Sequence, residues 1–251
     1  CALPIYAIII DEAQDLFSSE NLSVFNALVK GGLTNGEWVI FGDFTRQAIY
    51  ARNSADNYHN PRDYLNSEGV QYANLSLRTN CRNTRKIAEE TALLSGFDSM
   101  PFRAKTDGGL SVVYSYWAKS NEQVNKLKVM LEKLLSDGIP PDDIVLLSIC
   151  KIENSVLNKL TDFLNIRFSP ITDYGLQGKN TIFYSTVHAF KGLESPVIIL
   201  TDVQAIETDY DRSVIYIGMS RAKSCLLLLA HENLKDSISQ AVMKKLAGFG
   251  S

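Results

Sequence analysis

Short apolar runs alternate with amphipathic stretches along most of the chain. Runs of four to eight apolar residues between turn residues predict strands, and apolar residues recurring every three or four positions predict helices. Strands are predicted at residues 5–10, 37–41, 70–77, 111–117, 144–149, 181–184, 196–201 and 224–230. Helices are predicted at residues 83–95, 121–136, 153–164, 209–219 and 234–246, and one more follows residues 18–20 and ends at residue 30.

The predicted strands are almost wholly apolar and alternate with helices. This pattern is typical of an α/β protein whose parallel sheet is covered by helices on both faces. A break in the pattern near residues 75–80 marks a domain boundary. We therefore predict a first domain at residues 1–76 and a second at residues 77–251.

Length and composition are compatible with one large or two ordinary domains. The chain has 251 residues, of which 45% are hydrophobic, and a formal net charge of −3. No apolar run approaches the length of a membrane span, and no signal peptide is recognisable, so we expect a cytoplasmic protein with no membrane partner. Because the chain begins with Cys1 instead of methionine, we expect it to be an excised fragment.

The four cysteines, at positions 1, 81, 150 and 225, are far apart in the sequence. Zinc sites and redox-active disulfides usually need a C-x-x-C pair, so we predict neither. The slightly negative charge argues against general coating of nucleic acid. It does not exclude single-strand binding in a narrow groove, which depends on stacking and local basic residues.

The first predicted strand ends in two adjacent carboxylates, Asp11 and Glu12. In open α/β sheets, functional groups collect at the carboxyl ends of the strands. One carboxylate is suited to hold Mg²⁺ together with substrate phosphates, and the other to activate a water molecule. The sequence contains no G-x-x-x-x-G-K-[ST] phosphate loop, so only half of an ATPase motif set is present.

Five segments in order carry a resemblance to superfamily I DNA helicases of the UvrD/Rep type. It extends from residue 5 to about residue 230. The segments are Asp11-Glu12-Ala13-Gln14-Asp15, Gly42-Asp43 with Gln47-Ala48-Ile49-Tyr50, Leu77-Arg78-Thr79-Asn80-Cys81-Arg82, Thr186-Val187-His188-Ala189-Phe190-Lys191-Gly192-Leu193-Glu194, and Tyr216-Ile217-Gly218-Met219-Ser220-Arg221-Ala222.

The resemblance implies roles in ATP hydrolysis for five residues. Asp11 corresponds to the Mg²⁺-holding carboxylate of the Walker B strand, and Glu12 to the group that activates water. Gln47 corresponds to a γ-phosphate sensor. Arg82 and Arg221 correspond to two arginines that reach the γ-phosphate from the second domain, where a guanidinium neutralises developing charge.

The resemblance also implies contacts with ribose and DNA. Glu194 corresponds to a carboxylate that contacts the nucleotide ribose. Thr186 and His188 lie in a motif that touches the DNA strand and couples it to the nucleotide. Tyr50 lies where the family begins a stacking surface for bases.

The fold that the resemblance implies is the RecA-like P-loop NTPase fold, with parallel sheets flanked by helices. Residues 1–76 would be the C-terminal part of the first RecA-like domain, and residues 77–251 a second RecA-like domain. The implied function is that of an ATP-dependent DNA helicase or translocase that uses ATP and Mg²⁺ to move on single-stranded DNA, or on DNA with single-stranded tails. The fragment alone is expected to be inactive, because it lacks the Walker A loop.

Two other functions stay open at this point. One is a non-hydrolysing nucleic-acid-binding or interaction module that has kept the helicase fold. The other is a helicase-like subunit of a nuclease complex, in which a separate domain cuts.

Individual residues also have structural interpretations. Arg82 could form a surface salt bridge, and Arg221 could interact with the C-terminus of a helix, where cations are favoured. His188 could be a core residue, and Tyr50 could pack against the sheet.

Overall fold

The computed structural model describes residues 5–47, 65–98, 100–101, 109–161, 163–173 and 180–248. Its contacts divide the chain into two compact units, Cys1–Leu77 and Arg78–Ser251. Among the described residues, no helix is both long and apolar enough to cross a membrane.

The first unit contains a parallel pair of strands, β1 (Ala7–Ile10) and β2 (Glu37–Ile40), with Ala7 opposite Glu37 and Ile10 opposite Ile40. Helices α1 (Ser19–Leu28) and α2 (Gly32–Asn35) connect them. The Ser18 side chain caps α1 by accepting a hydrogen bond from the Asn21 amide. Gly31 precedes α2 with a φ of 88°, which favours glycine.

Only one face of this strand pair is packed within the described part of the unit. Ile10 belongs to a core cluster with Phe17 and Leu22, whereas Ile9 on the opposite face is 73% exposed. The sequence pattern predicted burial on both faces. Successive strand residues point to opposite sides, and the described elements cover one side of this pair, so burial of the other face stays a prediction.

The second unit is built on a six-stranded sheet, in which all pairings are parallel and the order is β3-β8-β7-β4-β6-β5. The strands are β3 (Val113–Trp117), β4 (Ile144–Ser148), β5 (Arg167–Pro170), β6 (Thr181–Thr186), β7 (Ser195–Val203) and β8 (Ala222–His231). The helices are α3 (Arg85–Ser95), α4 (Ser120–Ser136), α5 (Asp209–Ser220) and α6 (Lys235–Gly248).

Helices cover both faces of this sheet. Leu127 and Leu131 of α4 share a buried cluster with Ile199 of β7. On α5, a side chain at Gly218 would lie 2.9 Å from Leu200, the next residue along β7. Because adjacent strand residues point to opposite faces, α4 and α5 lie on opposite sides of the sheet. The predicted α/β class, with a parallel sheet between helices, is confirmed.

Two predicted elements are absent from the structure. Residues 70–77 form no strand, and Leu75 and Leu77 are 90% and 89% exposed, so their apolar side chains do not pack against the described residues. The predicted helix at 153–164 is replaced by two short 3-10 helices, Ile152–Asn154 and Val156–Lys159. The Ser155 side chain caps the second 3-10 helix by accepting the Leu157 amide, and a continuous helix does not form because the Val156 amide donates to the Asp202 side chain. Strand β5 was not predicted.

Candidate nucleotide and nucleic-acid sites

Asp11 and Glu12 follow β1 directly, where the chain turns out of the sheet. The Ala13 amide donates to the Phe41 carbonyl at 2.9 Å, which holds this turn against the end of β2. Glu12 has a φ of 50°, and its amide donates to Asp11 Oδ1 at 2.9 Å. Asp11 is exposed and Glu12 is half-buried. The strand end therefore presents one accessible carboxylate beside one that is held by the fold.

Gln14 links the ends of the two strands of the first unit. Its side chain is buried; Nε2 donates to the Glu12 carboxylate, and Oε1 accepts the Asp43 amide at 3.0 Å. A Cβ on Gly42 would lie 2.7 Å from the same Oε1, so a side chain there would displace the Gln14 amide from this position. Sequence reasoning assigned Gln14 no role, although it lies inside the first motif.

Gln47 closes a turn that begins at Asp43. Its amide donates to the Asp43 carbonyl at 3.2 Å, and Asp43 Oδ1 accepts the Arg46 amide at 2.9 Å. Gln47 is thus tied through Asp43 to Gln14 and Glu12, all within the first unit. Tyr50, the predicted base-stacking residue, lies outside the described residues.

In the second unit, Glu194 forms two ion pairs at the beginning of β7. Its Oε2 lies 3.1 Å from Arg82 Nε, and its Oε1 lies 2.7 Å from Lys223 Nζ. The hydrogen bond from Lys223 is the main reason why the pKa of Glu194 is lowered, and Arg82 contributes as well. Arg82 and Glu194 were assigned to the nucleotide from separate motifs, and the structure brings them together. Lys223 was not predicted.

Asn83 fixes the segment that carries Arg82 to the segment that carries Arg221. Its Nδ2 donates to the Ser220 carbonyl at 2.9 Å and also to the Ala222 carbonyl, so it spans the two peptides around Arg221. Its Oδ1 accepts from Asn80 Nδ2 at 3.2 Å. Asn83 is buried. No local sequence signal indicates this contact, because the two segments are far apart in the chain.

Arg221 points into the protein and is only 1% exposed. Its Nε donates to the Ile217 carbonyl at 3.2 Å, and its Nη1 donates to the Leu193 carbonyl at 3.4 Å. The Arg221 carbonyl in turn accepts the Ser195 amide. The arginine therefore joins the end of α5 to the start of β7 in this conformation. Its contact with a γ-phosphate stays a prediction.

Thr186 and His188 lie at the carboxyl end of β6. In the parallel sheet this is the end opposite to the start of β7, where Glu194 lies. Thr186 Oγ1 accepts the Ala189 amide at 3.2 Å, and the Val187 amide donates to the Ser148 carbonyl at 2.9 Å. The half-buried His188 ring lies 2.9 Å from the Tyr210 hydroxyl through Nε2. Burial lowers the pKa of His188, and Lys191 adds to this effect. A neutral imidazole at this end of the sheet is therefore favoured.

The donor set at Asp11 fits a magnesium ion that is shared with nucleotide phosphates. Mg²⁺ commonly takes one or two protein carboxylates and fills its other positions with water and phosphate oxygens. Asp11 offers an exposed carboxylate of this kind. The described part of the chain holds no cluster of three or more metal-ligating side chains of the kind an all-protein metal site needs.

Comparison with known proteins relates the second unit to helicases. The family model of the UvrD-like helicase C-terminal domain matches residues 181–229. The mitochondrial ATP-dependent DNA helicase HMI1 of Saccharomyces cerevisiae is 36% identical over 64 residues, which are 25% of this chain and 9% of that protein. The solved C-terminal domain of a possible DNA helicase from Lactobacillus plantarum WCFS1 aligns with a TM-score of 0.44 and 17% identity, over 60% of this chain and 86% of that chain.

The family match encloses Thr186, His188, Glu194 and Arg221, four of the residues singled out from the sequence. The chain spans about a tenth of the length of the curated relative that it matches. The family match and the HMI1 alignment support the predicted relationship: the chain carries a C-terminal portion of the UvrD helicase type, with the family match at residues 181–229.

Proposed function

We propose that the full-length protein containing this chain is an ATP-dependent DNA helicase or translocase that moves on single-stranded DNA. In this proposal Asp11 holds Mg²⁺ and Glu12 activates the attacking water, with Gln14 fixing the Glu12 carboxylate. Gln47 senses the γ-phosphate from the turn that Asp43 closes. These residues all come from the first unit.

The second unit supplies positive charge and the nucleic-acid contacts. Arg82 and Arg221 act on the triphosphate, whose transferred group carries negative charge that a guanidinium neutralises. Glu194 contacts the ribose. Thr186 and His188 contact the DNA strand, and Tyr50 contributes stacking.

One observation carries this proposal: the ion-paired group of Arg82, Glu194 and Lys223. A structural surface salt bridge needs one cation for one carboxylate. Here two cations converge on Glu194, while Arg82 and Glu194 remain 42% and 39% exposed. The group has an excess of positive charge that solvent can reach, as binding of a nucleotide phosphate requires.

The test is DNA-stimulated ATPase activity of the full-length protein, with Arg82→Ala compared with Arg85→Ala. Arg85 lies three residues away and forms an ion pair of its own, with Glu89 at 2.7 Å, so the pair of variants is matched in charge and position. Arg82→Ala is expected to lower kcat by about 10³-fold or more, and Arg85→Ala to leave it near the wild-type value.

Glu12→Gln tests the other half of the proposal, and Glu20→Gln in the first turn of α1 is its control. Loss of the group that activates water is expected to lower kcat by about 10²–10⁴-fold while nucleotide binding persists. Wild-type ATPase rates in both Arg82→Ala and Glu12→Gln would refute the proposed chemistry.

A second candidate function is a non-hydrolysing single-strand-binding module, and the position of Arg221 favours it. The guanidinium donates to the backbone carbonyls of Ile217 and Leu193, so it serves the fold. This candidate predicts single-strand binding that ATP does not change, and no ATPase activity in the full-length protein.

A further inference from the structure

A buried carboxylate that the proposed function does not use lies near the end of β7. Asp202 is 3% exposed and has a φ of 63°, in a region where β7 and β8 shift register. A residue with a side chain pays for such a backbone conformation, which persists only when the surroundings enforce it. The surroundings of Asp202 therefore hold a strained backbone in place at this residue.

Five groups donate hydrogen bonds to this carboxylate. Oδ1 accepts from the Gln123 side chain at 2.8 Å and from the Val156 amide at 3.1 Å. Oδ2 accepts from three hydroxyl groups, those of Ser148, Ser155 and Thr201. A buried carboxylate with this many donors holds several segments at fixed positions, because each donor has a direction and a length.

One of these donors connects Asp202 to the predicted DNA-binding motif. Ser148 lies opposite both Thr186 of β6 and Thr201 of β7 in the sheet. Its hydroxyl donates to Asp202 at 2.7 Å, and its carbonyl accepts the Val187 amide at 2.9 Å. The side chain and the backbone of one residue thus join the carboxylate to the first residue of the turn that carries His188.

We propose that Asp202, acting through Ser148, is a positioning residue for the segment at residues 186–193. This inference rests on the proposed function for its biological meaning, since Thr186 and His188 are the residues assigned to DNA. The hydrogen bond to Asp202 fixes the position of Ser148 at the end of β4, and the Ser148 carbonyl fixes the position of Val187, where the turn begins. Asp202 itself lies inside the protein and is not assigned a contact with DNA.

The chain offers a matched pair of variants, Ser148→Ala and Ser155→Ala. Both serines are buried, and both donate a hydroxyl to Oδ2 of Asp202. Each hydroxyl also accepts an amide two residues further on, that of Cys150 or that of Leu157. Both variants therefore lose one hydrogen bond donated to Asp202 and one accepted from a backbone amide. Only Ser148, however, adjoins the 186–193 segment.

Amide hydrogen exchange of the folded chain is the deciding measurement. Ser148→Ala is expected to speed the exchange of the Val187 and Phe190 amides by about tenfold, and Ser155→Ala to speed Leu157 while leaving those two unchanged. Asp202→Asn, which keeps the size of the side chain, is expected to affect both regions. Unchanged exchange at Val187 in Ser148→Ala, or equal acceleration there in both serine variants, would overturn the inference.

Binding of a fluorescent single-stranded oligonucleotide then tests the functional meaning. Ser148→Ala is expected to raise the Kd by about fivefold to tenfold at constant salt, and Ser155→Ala to leave it unchanged. If the wild-type full-length protein does not bind the oligonucleotide, the proposed function fails, while exchange still decides the positioning role. If exchange at Val187 rises without any change in Kd, the positioning of a DNA contact is refuted.

Discussion

Replacing Asn83 by alanine tests whether the second unit depends on a polar clamp beside Arg221. The substitution removes the donor to the Ser220 and Ala222 carbonyls and the acceptor for Asn80 Nδ2. All of these contacts lie in the second unit. Both carbonyls belong to buried residues, so water has poor access to replace the lost amide.

The expected loss follows from the number of groups left without this partner. A buried polar group that loses its hydrogen-bond partner costs about 1–3 kcal/mol, and two carbonyls are affected. Partial compensation within the helix end brings the total to about 2–4 kcal/mol of unfolding free energy. For a unit of this size, that corresponds to a fall in Tm of roughly 6–12 °C.

The assay is denaturation followed by tryptophan fluorescence. The chain has two tryptophans, and Trp117 lies in the second unit, so a Trp38→Phe background reports on that unit alone. Asn158→Ala is the control, because Asn158 is exposed and its side chain donates a long hydrogen bond to the Glu153 carbonyl at 3.4 Å. If Asn83→Ala is as stable as Asn158→Ala, the clamp contributes nothing and the argument from buried carbonyls is wrong.

Three further predictions concern titration and thiol reactivity. The lowered pKa of Glu194 means that its ion pairs stabilise the fold above about pH 4.5 and lose this effect as pH falls, so wild type and Glu194→Gln should converge in stability in acid; a constant difference contradicts this. Because burial lowers the pKa of His188, its NMR titration midpoint should lie below 6.5, and stability should fall as pH drops below that value; a midpoint at or above 6.5 is contrary. A maleimide should label exposed Cys81 before Cys150 and Cys225, whose pKa values burial raises; equal rates would count against this.

The strands that are buried on both faces were the easiest elements to predict from the sequence. The central strand β4 is fully buried along its length, and its first four residues, 144–147, are all apolar. Such a run has few alternatives in a soluble domain once it is too short for a membrane span. The β-strand prediction failed at 70–77, where the apolar residues are present but the described structure offers no neighbouring strand to pair with them.

The failed helix at 153–164 has a cause that no local pattern contains. Asp202 accepts both the Ser155 hydroxyl and the Val156 amide, and it is about fifty residues away in the chain. A helix through this segment would need the same amide for its own hydrogen bond. Tertiary contact therefore overrides a spacing that is compatible with a helix.

The candidate-site residues likewise separate into those that local motifs reveal and those that only tertiary contacts reveal. The motifs identified Arg82 and Glu194 as separate residues with a common ligand, and the structure shows that they are ion-paired. Lys223, Asn83 and Gln14 were missed because their roles depend on partners brought close by the fold. The Asn83 contact with Ser220 joins residues 137 positions apart.

The route of the chain from β6 to β7 gives a physical basis to the coupling between DNA and nucleotide that the helicase resemblance implies. Both strands are parallel neighbours of β4. The connection must therefore cross β4 while it returns from the carboxyl end of β6 to the amino end of β7. Ser148 lies level with Thr186 and with Thr201, and Ser195 precedes Thr201 by six strand positions, which is about 20 Å.

Residues 187–194 therefore run the height of the sheet in a single short connection. His188 lies near the beginning of this connection, at the end of the sheet assigned to DNA. Glu194 lies at the end of the connection, in the ion-paired group assigned to the nucleotide. Few residues separate the two, so the connection has little slack to absorb a displacement at either end. Under the proposed function, a change in the ion pairs of Glu194 is transmitted to His188 along this segment, and the anchor of its first residue on Ser148 determines how far that end can move.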